Sequence, residues 1–242
     1  MNKIISIMGP TSSGKTDLAI LLSEEFDLNI ISIDSVMIYK EFNVGSAKPD
    51  EKTLLKFPHK MVDILEPNEK YSVAKFYKDL TLNIKKSHES KKIPLLVGGS
   101  MMYFKTFFLG GLSELKEVSI ETKIHVDKIF SEYSLNYIYN YLYTIDSKAA
   151  KKIHQNDKYR IRRMLEILLS NDDKPSVVLE QCSKNVQFYN NLNLSIIPIE
   201  RLLLHDQIED RLNNMIDNGL ITEVIQLLEK YKSVKLPAMS TV

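Results

Sequence analysis

Eight residues near the start of the chain, Gly9-Pro10-Thr11-Ser12-Ser13-Gly14-Lys15-Thr16, have the spacing G-x-x-x-x-G-K-[ST]. They follow an apolar run and open a helical pattern, the context in which such a loop cradles a polyphosphate. The glycines let backbone N–H groups point inward, the helix N-terminus adds partial positive charge, Lys15 reaches the phosphates and Thr16 can ligate Mg²⁺. A diphosphate or triphosphate ligand follows from this. Phosphoryl transfer does not, because a loop that holds pyrophosphate serves equally well when that group departs. A second candidate, Asp34, ends the run Asn29–Ile33. In open α/β sheets ligands sit outside the carboxyl ends of strands. By position alone Asp34 serves as well for a turn or helix cap as for a site carboxylate.

The elements that must position these groups are legible as alternating apolar runs and helical patterns. Strands are expected at Lys3–Met8, Asn29–Ile33 and Pro94–Val97, with helices over Lys15–Phe26 and Val73–Ser90. That alternation predicts an α/β fold with a parallel sheet flanked by helices. From 113 to 186 the strand signals stop, while Asp127–Leu142 and Ser147–Leu169 carry apolar residues at helical spacing, which predicts a helical insertion domain. The core, begun over 1–112, resumes over 187–242 with a strand at Leu194–Ile199 and an amphipathic helix over Leu202–Asn218, stopped by Asn218-Gly219. Gly110-Gly111 is a candidate hinge at the base of the insertion.

The chain has 242 residues, 44% of them hydrophobic, and a formal net charge of +1, so any nucleic-acid signal must be local. Within positions 148–163 stand Lys148, Lys151, Lys152, Lys158, Arg160, Arg162 and Arg163, with Asp157 the only acid. Helical spacing places Lys148, Lys151 and Lys152 on one face and Arg160 with Arg163 on another, which suits a phosphate-tracking surface. It suits equally a solvated face with Arg162 paired to Glu166. A single cysteine, Cys182, precludes an intrachain disulfide. No stretch approaches the roughly 18 apolar residues of a membrane span, and the opening run is too short for a signal peptide. The expectation is a cytoplasmic monomer with no membrane association.

Beyond the phosphate loop, the stretches Asp34-Ser35-Val36-Met37-Ile38-Tyr39, Gly45-Ser46-Ala47-Lys48-Pro49, Phe57-Pro58-His59, Gly98-Gly99-Ser100 with Tyr103, and Asp146 to Asp157 follow one another in order. With Arg160 to Glu166, Arg211 to Met215, Gly219-Leu220 and Glu223, they closely resemble the tRNA dimethylallyltransferase family over nearly the whole chain. The resemblance implies that the loop holds the diphosphate of dimethylallyl diphosphate while the exocyclic amine of the adenine 3′ of the anticodon attacks the prenyl carbon. By the same match, Asp34 accepts the amine proton, Lys15 and Arg211 with Mg²⁺ neutralise the departing diphosphate, and Ser100 holds the target nucleotide. Ser100 is a departure, since the family usually has Thr there; Ser keeps the hydroxyl but loses the methyl that restricts its rotamer.

The resemblance further implies that Asp34, Ser35, Val36, Met37 and Ser100 face the flipped base. Tyr159, Arg160, Ile161, Arg162 and Arg163 would contact the anticodon stem-loop. Arg211 alone would read as a solvated helix charge, and Tyr39 and Tyr103 serve equally as core aromatics or pocket walls. The last segment, 187–242, is shortened relative to the family, which continues with a Gly-Tyr motif and further helices. Three readings compete with tRNA prenylation: an ATP-binding small-molecule P-loop kinase, a prenyltransferase acting on free adenylate, and a non-catalytic RNA-binding module.

Overall fold

The computed structural model describes residues 2–110, 118–181, 189–232 and 236–240. The elements in chain order begin β1 (Lys3–Met8), α1 (Lys15–Glu25), β2 (Leu28–Ile33), α2 (Glu51–Lys56), β3 (His59–Lys60), α3 (Val73–Glu89), β4 (Ile93–Gly98) and α4 (Met101–Phe108). There follow α5 (Ile120–Glu132), α6 (Leu135–Ile145), α7 (Ser147–Ala150), α8 (Lys158–Ser170) and α9 (Pro175–Gln181), then β5 (Asn190–Ser195), α10 (Arg201–Asp217) and α11 (Leu220–Lys230). The chain forms two compact units, one of Met1–Phe107 with Gln187–Val242 and one of Phe108–Val186.

In the first unit five parallel strands lie in the order β3-β2-β4-β1-β5. Strands β1, β2 and β4 are near-continuous apolar runs because helices cover the sheet, and Ile7, Ile30, Ile31, Ile33, Leu95 and Leu96 are buried. Ile7, Leu28, Ile30, Leu95 and Val97 pack with Ala19 of α1. Phe76 of α3 stacks on Tyr103 with ring centroids 3.9 Å apart. Tyr39 and Tyr103 are therefore core aromatics, at 2% and 5% exposure.

Two expectations for this unit need correction. The last strand is not Leu194–Ile199 but Asn190–Ser195, in register with Lys3–Met8. This is an edge strand held by backbone hydrogen bonds to β1, and Pro198 lacks the N–H that continuing it would require. The Asn218-Gly219 stop ends α10 as expected, with Asn218 N–H donating to Asn214 O at 3.0 Å, but Gly219, at φ +95°, immediately opens a further helix, α11.

The second unit is helical, with Val126, Ile138, Leu142, Ile153, Ile161 and Leu165 as its core. Both long helices expected there are broken. Ser134 caps α6, its hydroxyl accepting from Tyr137 N–H at 3.3 Å, so 127–142 is two helices. Asp146 caps α7 through Ala149 N–H at 3.0 Å, and Asp157 caps α8 through Arg160 N–H at 3.0 Å. Lys148, Lys151 and Lys152 consequently do not share a continuous helix. A side-chain acceptor that satisfies orphan N–H groups outweighs an uninterrupted apolar period. Gly110 adopts φ +83°, while Gly111 and Cys182 lie outside the described residues.

Candidate active site

The site is built at the carboxyl ends of β1, β2 and β4. After Met8 the chain turns through Ser12 at φ +58° and Gly14 at φ +76°, and Gly14 starts α1 without a side-chain cap. The N–H groups of the first turn are thereby left to an external acceptor, the physical basis of anion binding at a helix start. Close approach dictates the other glycines. A Cβ on Gly9 would stand 2.8 Å from Ile196 O, and one on Gly98 only 2.0 Å from Ile33 O.

Lys15 folds back over the loop, its Nζ donating to Pro10 O and to Ser13 Oγ at 3.3 Å. Burial pushes its pKa below the ordinary lysine value, the Arg211 charge pushes it the same way, and Asp34 opposes both. Burial also lowers the Arg211 guanidinium, again against Asp34. Two cations and one carboxylate therefore share a partly desolvated space with a cation in excess, which favours a polyanion.

Asp34 closes a turn and also borders a cavity. Its Oδ1 accepts from Val36 N–H at 2.8 Å and Met37 N–H at 3.0 Å, closing the turn after β2. Asp34 also lines a cavity of about 260 Å³ together with Thr11, Lys15, Thr16, Met37 and Arg211. Two larger openings adjoin it, about 660 Å³ along Ser12–Asp17 and about 1060 Å³ along Asn43–Glu51, and Arg211 lines all three. The helical charge is thus no bystander: α10 presents Leu204, Arg211 and Met215 from one face, all half-buried, while its other side is exposed.

Not every expected residue reaches the cavity. Gly98 and Gly99 line it but Ser100 does not; Ser100 N–H donates to Ile33 O at 3.4 Å and its carbonyl begins α4. Met37 is part of the lining, whereas Ser35 and Val36 are not. Ser32, Pro49, His59 and Val97 also line it; all four fall within stretches singled out in the sequence, Ser32 and Val97 in expected strands, and none had an assigned role. His59 Nδ1 lies 2.7 Å from Phe57 O, and burial lowers the pKa of the ring. These wall residues carry no spacing signal because separate strands and loops deliver them.

Thr16 and Asp34 are oxygen donors on the same cavity. Among the described residues no group of three or more His, Cys, Asp and Glu stands together to hold a metal. The Thr16 hydroxyl beside a phosphate loop nevertheless fits Mg²⁺, which takes few protein oxygens and fills its octahedron with phosphate and water.

In the helical unit, Tyr159 is 81% exposed, but Ile161 is fully buried in the core, so its side chain is corrected from an RNA contact to a packing residue. Arg162 donates to Asp127 at 2.6 Å and Glu166 at 3.2 Å, and Arg163 to Glu166 at 3.1 Å. Lys148 pairs with Glu180 at 2.5 Å. The basic run is therefore partly neutralised, by Glu166 a turn further along α8 and by Asp127 and Glu180 distant in sequence, leaving Arg160 among its more exposed cations, with one bond of 3.3 Å to Asp157.

A parallel sheet flanked by helices, with a phosphate-loop sequence at the end of β1 and a carboxylate and an arginine on the cavity beside it, defines a P-loop-like α/β fold. The IPP transferase family pattern matches residues 37–242. The tRNA dimethylallyltransferase of Dechloromonas aromatica is 35% identical over 98% of this chain and 76% of its own length, and that of Dichelobacter nodosus 38% identical over 94% and 71%. Among solved structures, a eukaryotic dimethylallyltransferase captured acting on tRNA superposes with a TM-score of 0.80 at 28% identity, covering 96% of this chain and 57% of that one. The tRNA isopentenylpyrophosphate transferase of Staphylococcus epidermidis gives 0.63 at 29% identity, covering 99% and 77%. This chain belongs to the IPP transferase family of tRNA dimethylallyltransferases.

Proposed function

We propose that this protein transfers the dimethylallyl group of dimethylallyl diphosphate to the exocyclic amine of the adenine 3′ of the anticodon in tRNA, releasing diphosphate. The observation that carries the reading is the convergence of Lys15, Thr16, Asp34 and Arg211 on one cavity of about 260 Å³ beside the phosphate loop. The amine nitrogen forms a bond to the prenyl methylene carbon that carries the diphosphate as the bond from that carbon to oxygen breaks, and the diphosphate leaves with the electron pair. The loop N–H groups, Lys15 and Arg211 stabilise the charge that grows on the leaving group, the largest electrostatic change of the reaction. Asp34 takes the amine proton. With Oδ1 engaged by two backbone N–H groups, the carboxylate is fixed in orientation and its other oxygen is the acceptor. A developing ammonium is strongly acidic, so a positioned acceptor suffices. Bound magnesium, held by Thr16 with Asp34 nearby, would supply further neutralisation of the diphosphate.

The exposed Tyr159 and Arg160 of the helical unit, with the partly buried Arg163, are the proposed contact with the anticodon stem, and the protein is proposed to work as a cytoplasmic monomer. No described helix is long and apolar enough to cross a membrane. Calorimetric titration with dimethylallyl diphosphate and, separately, ATP in the presence of Mg²⁺ tests the donor. Preference for the prenyl diphosphate is expected, and preference for ATP would turn the reading to a kinase or ATPase.

A further inference from the structure

Arg211 must be held over the phosphate loop, yet no residue of α10 is buried. The anchoring lies one helix further on. Leu227 of α11 is 3% exposed and packs among Ile38, Tyr39, Phe42 and Leu65. Glu223 Oε2 accepts from Asn43 and Val44 N–H, both at 2.8 Å, while its Oε1 accepts from Gly45 N–H at 2.9 Å. Three consecutive backbone donors thus close on one carboxylate, a charge-assisted arrangement stronger than neutral hydrogen bonds. The loop comes so near that a Cβ on Gly45 would stand 3.1 Å from Leu220 Cδ1 and 3.4 Å from Glu223 Oε1. The loop from Asn43 to Glu51 and the α10 face from Arg211 to Asn218 line the same groove of about 1060 Å³.

We infer that Glu223 is a positioning residue for Arg211: by clamping the 43–45 loop to α11 it fixes the α10–α11 hairpin and so sets the guanidinium against the diphosphate. The inference rests on the reading of the site as a diphosphate site. It is a role exerted through the fold, since Glu223 itself is absent from the lining of the cavity that holds Lys15 and Asp34.

The test is a double-mutant cycle read by calorimetric binding of inorganic pyrophosphate with Mg²⁺, which requires no catalytic turnover. Glu223→Ala and Arg211→Ala are each expected to weaken binding roughly tenfold or more, and the double variant to bind no more weakly than Arg211→Ala. Glu223→Gln, which keeps the volume and one acceptor oxygen, should fall between wild type and Glu223→Ala and keeps the test open if the alanine variant fails to fold. Losses that multiply in the double variant, or a folded Glu223→Gln or Glu223→Ala with wild-type pyrophosphate affinity, would overturn the inference. Wild-type protein that binds no pyrophosphate would instead refute the diphosphate site itself.

Discussion

Replacing Asp34 with Asn removes one charge from the centre of the site while leaving its turn nearly intact. The Asn side-chain carbonyl can still accept from Val36 and Met37 N–H, the bonds of 2.8 and 3.0 Å that Oδ1 now receives. Exchanging charged for neutral acceptance there should cost only about 1 kcal/mol of stability. Catalytically the change is larger, because the free carboxylate oxygen that would take the amine proton is replaced by an NH₂ donor. Loss of a positioned proton acceptor lowers rates by roughly 10²–10⁴-fold, or about 3–5 kcal/mol in the barrier. Asp34 also opposes the lowering of the Lys15 and Arg211 pKa values, but it repels a bound diphosphate, so donor affinity should hold or improve. Single-turnover prenyl transfer should therefore collapse while calorimetric donor binding persists and the thermal midpoint moves little. A rate within tenfold of wild type, or equal loss of donor binding and rate, would refute the assignment of Asp34 as proton acceptor.

Other predictions follow from the same geometry. Lys15 has a folded-state pKa below 10.5, so pyrophosphate affinity should decline as pH rises through that lowered value, before an ordinary lysine would deprotonate. The linked stability has the opposite sign: burial disfavours the charged form, so the unfolded chain binds the proton more tightly and stability rises with pH between the lowered value and 10.5. Lys15→Met should remove both trends, and an unchanged pH profile of binding would contradict the account. Gly98→Ala places a Cβ 2.0 Å from Ile33 O at the β2–β4 pairing, and denaturant unfolding should register a loss of about 1–3 kcal/mol or more. Arg160→Ala with Arg163→Ala should weaken tRNA binding and flatten its salt dependence by about one unit of slope for each phosphate no longer neutralised. An unaltered slope would remove this helix from the RNA interface. Arg162→Ala should instead lower the stability of the helical unit, since it ties α8 to Asp127 as well as Glu166.

How far the fold is legible in the sequence depends on what carries each element's signal. β1, β2, β4 and α1 sit within a residue of their expected bounds because buried strands and a glycine-bounded helix write themselves into residue type. β5 is displaced because an edge strand paired through its backbone needs no apolar run, and the conspicuous residues beyond it, Ile197 and Ile199, are 77% and 100% exposed. The breaks at Ser134 and Asp157 are hidden in continuous apolar periodicity, since one capping oxygen changes no hydrophobic pattern. In the site, the phosphate loop is local and legible. The approach of Arg211 to Lys15 is not, because it depends on how α10 is anchored through α11. Ile161 shows the converse: membership in a motif assigns it to an RNA surface, whereas its place in the α8 period buries it.

The central claim is transfer of a prenyl group from a diphosphate bound by the Lys15 loop to an anticodon-loop adenine. It is tested most directly by incubating the protein with labelled dimethylallyl diphosphate, Mg²⁺ and a tRNA bearing adenine 3′ of its anticodon, then locating the label by nuclease digestion and mass spectrometry. The account predicts one dimethylallyl group on that adenine, absent when Lys15 is replaced by Met. Label on free adenylate but not on tRNA, or label on tRNA that survives the Lys15→Met change, would contradict it.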